Sequence, residues 1–169
     1  MAIDTSKQSQ GKETYNFVIN SLHKVSGTYN YDCIFNVDWD SLLRHFPTNQ
    51  KFRLKWALGS RDTATHSGDH NGTLYIDFGV RTNQQDTKLN NQNTLMGFAE
   101  FVDTGTANTY FIRHAYENTY VTITKPINSQ IGVKFRLIDN SALWNGSTLP
   151  TDSLPNYVIK IELQPINEE

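Results

Sequence analysis

Cysteine is almost missing from this chain: its 169 residues include one, Cys33. A lone thiol cannot form an internal disulfide, which excludes the disulfide-stapled folds of small secreted domains. An excess of positive charge is missing too. Lys and Arg number 15 against 17 Asp and Glu, a formal net charge of −2. Domains that wrap nucleic acid are usually basic, so no specific nucleic-acid partner is expected. No apolar run is long enough to cross a bilayer, so no membrane span is expected. The opening residues, MAIDTSKQSQGKE, lack the apolar core of a signal peptide. Folding in a reducing, cytosol-like compartment follows, and Asn71-Gly72-Thr73 and Asn145-Gly146-Ser147 then read as turns rather than glycosylation sites. Phosphate-binding glycine loops, the G-x-S-x-G elbow and zinc spacings are all absent.

The chain is instead rich in alternation. YNFVINSL places Tyr15, Phe17 and Ile19 on one face. YDCIFNVDW does the same with Tyr31, Cys33, Phe35, Val37 and Trp39. KFRLKWAL sets Phe52, Leu54, Trp56 and Leu58 against Arg53 and Lys55, and YVIKIEL closes the chain with Tyr157, Ile159, Ile161 and Leu163. Between them, TLYIDFGV brings Leu74, Ile76, Phe78 and Val80. LMGFAEFV and TYFIRHAY read as a hairpin across Asp103-Thr104-Gly105, with Met96, Phe98 and Val102 on one face and Tyr110, Ile112 and Tyr116 on a face of the partner. In TYVTITKPINSQIGVKFRLID, Val121 and Ile123 lead to a corner at Pro126, and Val133, Phe135 and Leu137 resume beyond it. This period of two is the mark of half-buried strands. One helical turn is expected at DSLLRHF, capped by Asp40 and stopped by Pro47.

Short strands, each with one apolar and one polar face and separated by polar loops, imply an all-β antiparallel sandwich. Its expected form is a single jelly roll with about eight main strands and one short helix. Residues 1–13 read as a flexible N-terminal arm and residues 14–169 as a single jelly-roll domain.

Chemistry is sparse. His66, Asp69 and His70 in HSGDH could hold a divalent ion, yet a solvated polar loop explains them as well, and cupin-like metal chemistry would need histidines alternating along a strand. His23, His45 and His114 are far apart in sequence. Cys33 falls on an apolar face, which favours packing over nucleophilic work. Glu100 and Glu162 lie in strand patterns that do not pair them for glycoside hydrolysis. Arg53, Lys55, Lys134 and Arg136 would form a basic patch if their sheets adjoin; cross-strand pairing with Asp77, Glu100 or Glu162 is the simpler reading. Tyr29, Tyr75 and Trp144 are candidates for sugar stacking or partner contact. Residue by residue, then, the chain is not read as an enzyme: no catalytic, cofactor-binding or metal residue is assigned, and no cofactor is expected.

The segment TKPINSQIGVKFRLID, the loop with Leu149-Pro150 and Leu154-Pro155, and the ending NYVIKIELQPI resemble the single jelly-roll capsid proteins, penton or minor capsid type, of large DNA viruses of protists and algae. The whole chain resembles that family in architecture, residues 120–165 also in wording. The resemblance implies a virion protein, assembled in the host cytoplasm, that self-associates, as a homopentamer in the penton case, and contacts other capsid proteins to build an icosahedral shell. It carries over no catalytic residue. A carbohydrate-binding or host-attachment module on the same sandwich, with a glycan as ligand at Trp144 and the loops near His66 or Asn145, is the alternative.

Overall fold

A computed structural model describes residues 13–27, 29–65, 73–80, 82, 95–106, 109–114, 120–137 and 154–167. Ten strands run in chain order: β1 (Tyr15–Asn20), β2 (Asp32–Asn36), β3 (Lys51–Ser60), β4 (Ala64–Thr65), β5 (Thr73–Asp77), β6 (Leu95–Asp103), β7 (Thr109–His114), β8 (Val121–Thr124), β9 (Gln130–Leu137) and β10 (Tyr157–Pro165). A 3-10 turn at Ser21–His23 and one helix, α1 (Trp39–Leu43), complete the described elements.

All the strand pairs are antiparallel, and their order defines two layers. One is β1-β10-β3-β8 and the other β2-β9-β5-β6. With the short β4 and the added β7 set aside, the pairs nest: first strand with last (β1 with β10), second with second-last (β2 with β9), then β3 with β8, and β5 with β6 innermost. That nesting is a long hairpin rolled into a sandwich, which is the jelly roll. β7 extends the second layer beside β6 and touches β3 at Gly59, so the layers join at that end.

The core forms because the alternation points one row from every strand inward. β3 contributes Phe52, Leu54, Trp56 and Leu58; β10 contributes Tyr157, Ile159, Ile161 and Leu163, all buried. Cys33, Phe35, Ile131, Val133 and Phe135 face them from β2 and β9. Val121 and Ile123 are buried as their alternation predicts, and Pro126 lies in the connection from β8 to β9.

Two local expectations shift. On β6 the inward residues are Met96, Ala99 and Phe101, whereas Phe98 packs on Tyr75 in a separate cluster and Val102 is only half-buried. The cause is a bulge: the register with β5 slips between Ile76 and Asp77, and one extra residue inverts the faces beyond it. The bulge holds Gly97 at φ 151°, where a Cβ would stand 3.0 Å from the Trp56 ring, so glycine lets the indole pass. Trp56 Nε1 donates to the Met96 carbonyl there at 3.2 Å, across the two layers. The helix begins earlier than expected. Asp38, not Asp40, is its cap, accepting from Ser41 N at 2.9 Å, because Trp39 turns inward as the first helical residue and packs edge-on to Phe17 at 5.1 Å. Tyr116 and residues 1–12 lie outside the described residues.

Candidate interaction surface

The two layers open on the side where β1 ends one and β2 ends the other. A cavity of ≈ 380 Å³ lies there, lined by Phe17, Val18 and Ile19 of β1, Phe35 of β2, Val37 before the helix and Leu42 within it. α1 and the following turn plug part of the opening: Tyr15 packs edge-on to Phe46, which packs on Phe52.

The four outermost strands of the layers finish differently. β2 is covered by the segment before it: Val25 N donates to the Ile34 carbonyl at 2.8 Å, and Ile34 N to the Ser26 carbonyl at 3.0 Å. β8 is bridged by Thr82 at Ile123, and β7 by β4. β1 alone has no strand or bridge on its outer side among the described residues. Its sequence, YNFVIN, has no charge, no proline and no bulge, the devices that normally protect an edge. Its outward row is Asn16, Val18 and Asn20, and Val18 is 62% exposed. Leu22 and Val25, which follow it, are also exposed.

The cover over β2 is anchored by a polar network beneath it. Asn30, buried, donates to the Leu154 carbonyl and to Asn156 Oδ1, both at 3.1 Å, and accepts from Lys24 Nζ at 2.9 Å. Ser21 Oγ accepts from Tyr157 N at 3.0 Å. Asp62 takes the Asn156 backbone and side-chain amides at 2.7 and 2.8 Å. Three chain segments are thus tied at one end of the sandwich, and Val25 and Ser26 are held against β2 rather than β1.

The residues singled out from sequence scatter over the fold. His66, Asp69, His70, Trp144 and Asn145 lie outside the described residues. His23 lines the cavity; His45 is exposed; His114 stacks on Trp56 at 3.8 Å. Cys33 is buried, and its thiol donates to the Tyr29 carbonyl at 3.0 Å. Burial pushes the Cys33 thiol up, and burial also pushes the neighbouring Tyr157 phenol up, so both stay protonated. Glu100 pairs with Arg113, and Glu162 lies between Asn16 and Lys55 in register. Among the described residues, no three His, Cys, Asp or Glu side chains gather as metal ligands, and no helix is long and apolar enough to cross a membrane.

The favoured reading of the basic residues holds for two of them, and one surface expectation is corrected. Arg53 and Lys55 are on β3 of one layer and Lys134 and Arg136 on β9 of the other, and Lys55 stands opposite Glu162 and Lys134 opposite Asp77 across their strand pairs. Arg53 instead lies 5.0 Å from the ring of Tyr120, which is exposed, and Lys134 pairs with Asp32 at 3.1 Å. Tyr75 is not an exposed aromatic: it is 8% exposed, covered by Phe98 across the β5–β6 pair. Tyr29 is half-buried and stacks on Tyr31 at 5.2 Å. The β1 edge escaped the reading from sequence, although it left a trace: Val18 is an apolar residue in the polar row of YNFVIN, with asparagine two residues away on either side. No protein-family model, curated protein or solved structure matches this chain.

Proposed function

We propose that this protein is a structural virion subunit, a single jelly-roll capsid protein of the penton or minor capsid type that builds an icosahedral shell by self-association. The observation that carries the reading is the pairing of a nested eight-strand jelly roll with an outer strand, β1, that is neither charged nor covered among the described residues. A rigid sandwich with an open edge works by geometry: it holds a shape against which copies pack, and symmetry closes the assembly. The resemblance of residues 120–165 to capsid jelly rolls points the same way. The expected partners are further copies, as a homopentamer in the penton case, and other capsid proteins; the expected place is the virion, after assembly in the host cytoplasm. Light scattering coupled to size-exclusion chromatography tests it. A closed oligomer, five copies for a penton, is the expected result; a protein that stays monomeric up to millimolar concentration and binds no other shell component overturns it.

A further inference from the structure

We propose that the cavity at the open side of the sandwich is a binding site for a neutral saccharide of one or two sugar rings. The inference goes beyond self-association and does not depend on it.

The cavity has apolar walls and the size of a small-molecule site. Each layer gives it a phenyl ring, Phe17 from β1 and Phe35 from β2, and α1 gives it Leu42. Its volume, ≈ 380 Å³, falls within the range of ligand pockets. A sphere of that volume is about 9 Å across, whereas a strand laid along the six residues of β1 is about 20 Å long. The space suits a compact molecule rather than an added strand.

Polar side chains ring these walls, and each is held by one atom while another stays free. Asn20, Asn36 and Asp38 line the cavity. Asn20 Oδ1 accepts from Leu22 N at 3.1 Å, Asn36 Oδ1 from Gln130 Nε2 at 3.3 Å, and Asp38 Oδ1 from Ser41 N at 2.9 Å. The two carboxamide NH2 groups and the second Asp38 oxygen have no partner among the described residues. His23, at the same rim, has none either. Anchoring one atom of a side chain orients the other, so less freedom is lost when a ligand binds.

This set of groups selects among ligand classes. Among the described residues no lysine or arginine lines the cavity, and Asp38 repels an anion. An amine would pair with Asp38 but leave both asparagine amides without an acceptor. A wholly apolar molecule would strip water from three polar side chains and return no hydrogen bond. A sugar ring meets every group. Its C–H face packs on the phenyl rings, and its hydroxyls both donate and accept, so they can accept from the asparagine amides and donate to Asp38.

Nuclear magnetic resonance titration of the full chain tests the site. The probes are lactose, maltose, cellobiose and N,N′-diacetylchitobiose, with hexylamine and inorganic phosphate as controls. At least one disaccharide is expected to shift the side-chain amide signals of Asn20 and Asn36 saturably, with a Kd of about 1 mM, and neither control is expected to do so. Asn20→Asp and Asn36→Asp keep the oxygen that accepts the local hydrogen bond and remove only the free donor. Each is expected to weaken that binding about tenfold, with unchanged circular dichroism and melting temperature. Four disaccharides that leave both amides unmoved overturn the site, and so does binding that both variants leave intact. Tighter binding of hexylamine makes the cavity a cation site, and tighter binding of phosphate makes it an anion site; either result overturns the proposal. All these outcomes leave the capsid reading where light scattering puts it.

Discussion

β1 and β2 flank the same opening between the layers, yet their outer edges have opposite characters. β2 is covered by Val25–Ser26, carries Asp32 in an ion pair with Lys134, and turns Cys33 and Phe35 fully into the core. β1 is uncovered among the described residues and uncharged, and of its inward row only Ile19 is buried; Tyr15 and Phe17 are partly buried at the rim. One strand is finished by its own chain, and the other, among the described residues, is paired only on its inner side. The difference shows that exposure of backbone is managed strand by strand, and that the segment leaving β1 is spent on covering β2.

Substitutions at matched positions put this contrast to the test. The largest effect is expected at the inward aromatics. Phe35→Ala should cost about 4 kcal/mol in denaturant unfolding, as for a fully buried aromatic, and Phe17→Ala about half that, because Phe17 is partly exposed. Equal losses would mean that β1 is as deeply buried as β2. Next comes the turn that lays the cover over β2. Gly27 has φ +104°, and a Cβ there would stand 2.2 Å from the Asp32 carbonyl oxygen. Gly27→Ala should therefore cost about 2–3 kcal/mol and speed amide exchange at Ile34; unchanged exchange would show the cover to be dispensable.

A smaller, pH-dependent effect belongs to the inner face of β2. Burial raises both Cys33 and Tyr157, so the folded state holds protons that the unfolded chain releases at the ordinary thiol and phenol values of about 8.5 and 10. Stability is thus fully present below that range and falls as pH rises through it. Tyr157→Phe should flatten the upper part of the fall in melting temperature. Since the phenol oxygen is buried and, among the described residues, has only the Cys33 thiol, a weak partner, beside it, the substitution should change stability at pH 7 by about 1 kcal/mol or less. A melting temperature level to pH 11 in the parent would count against this reading. The smallest effect is expected at the exposed pair on β2: Lys134→Ala should cost about 0.5 kcal/mol or less, and less still in high salt. A loss of several kcal/mol would give that ion pair a share in holding the edge.

Much of the fold is legible in the amino-acid pattern. The alternation in KFRLKWAL and YVIKIEL places eight side chains inward on β3 and β10, and all eight are buried. Period-two patterning is a local property and survives folding wherever the sheet is regular. It fails at LMGFAEFV, because a bulge depends on the partner strand, and β5 is not local to β6. It leaves open how the basic residues are shared between the layers: alternation tells which side chains leave a sheet, not which sheet they leave. The candidate interaction surface is barely legible, since an edge is defined by the strand that, among the described residues, is missing beside it.

What the amino-acid sequence determined by itself is therefore the set of strands, their inward rows and the all-β antiparallel class, because each rests on spacing within a few residues. Only the tertiary structure decided which strands stand at the edges. That outcome comes from pairings between distant segments, β1 with β10 and β2 with β9, and from the Val25 and Ser26 bonds to Ile34 that hold the chain after β1 against β2, while Asn30 and Ser21 tie it to Leu154 and Tyr157. Val18 is one apolar residue in the polar row of YNFVIN; in the fold it is the exposed centre of a strand that, among the described residues, pairs on one side only.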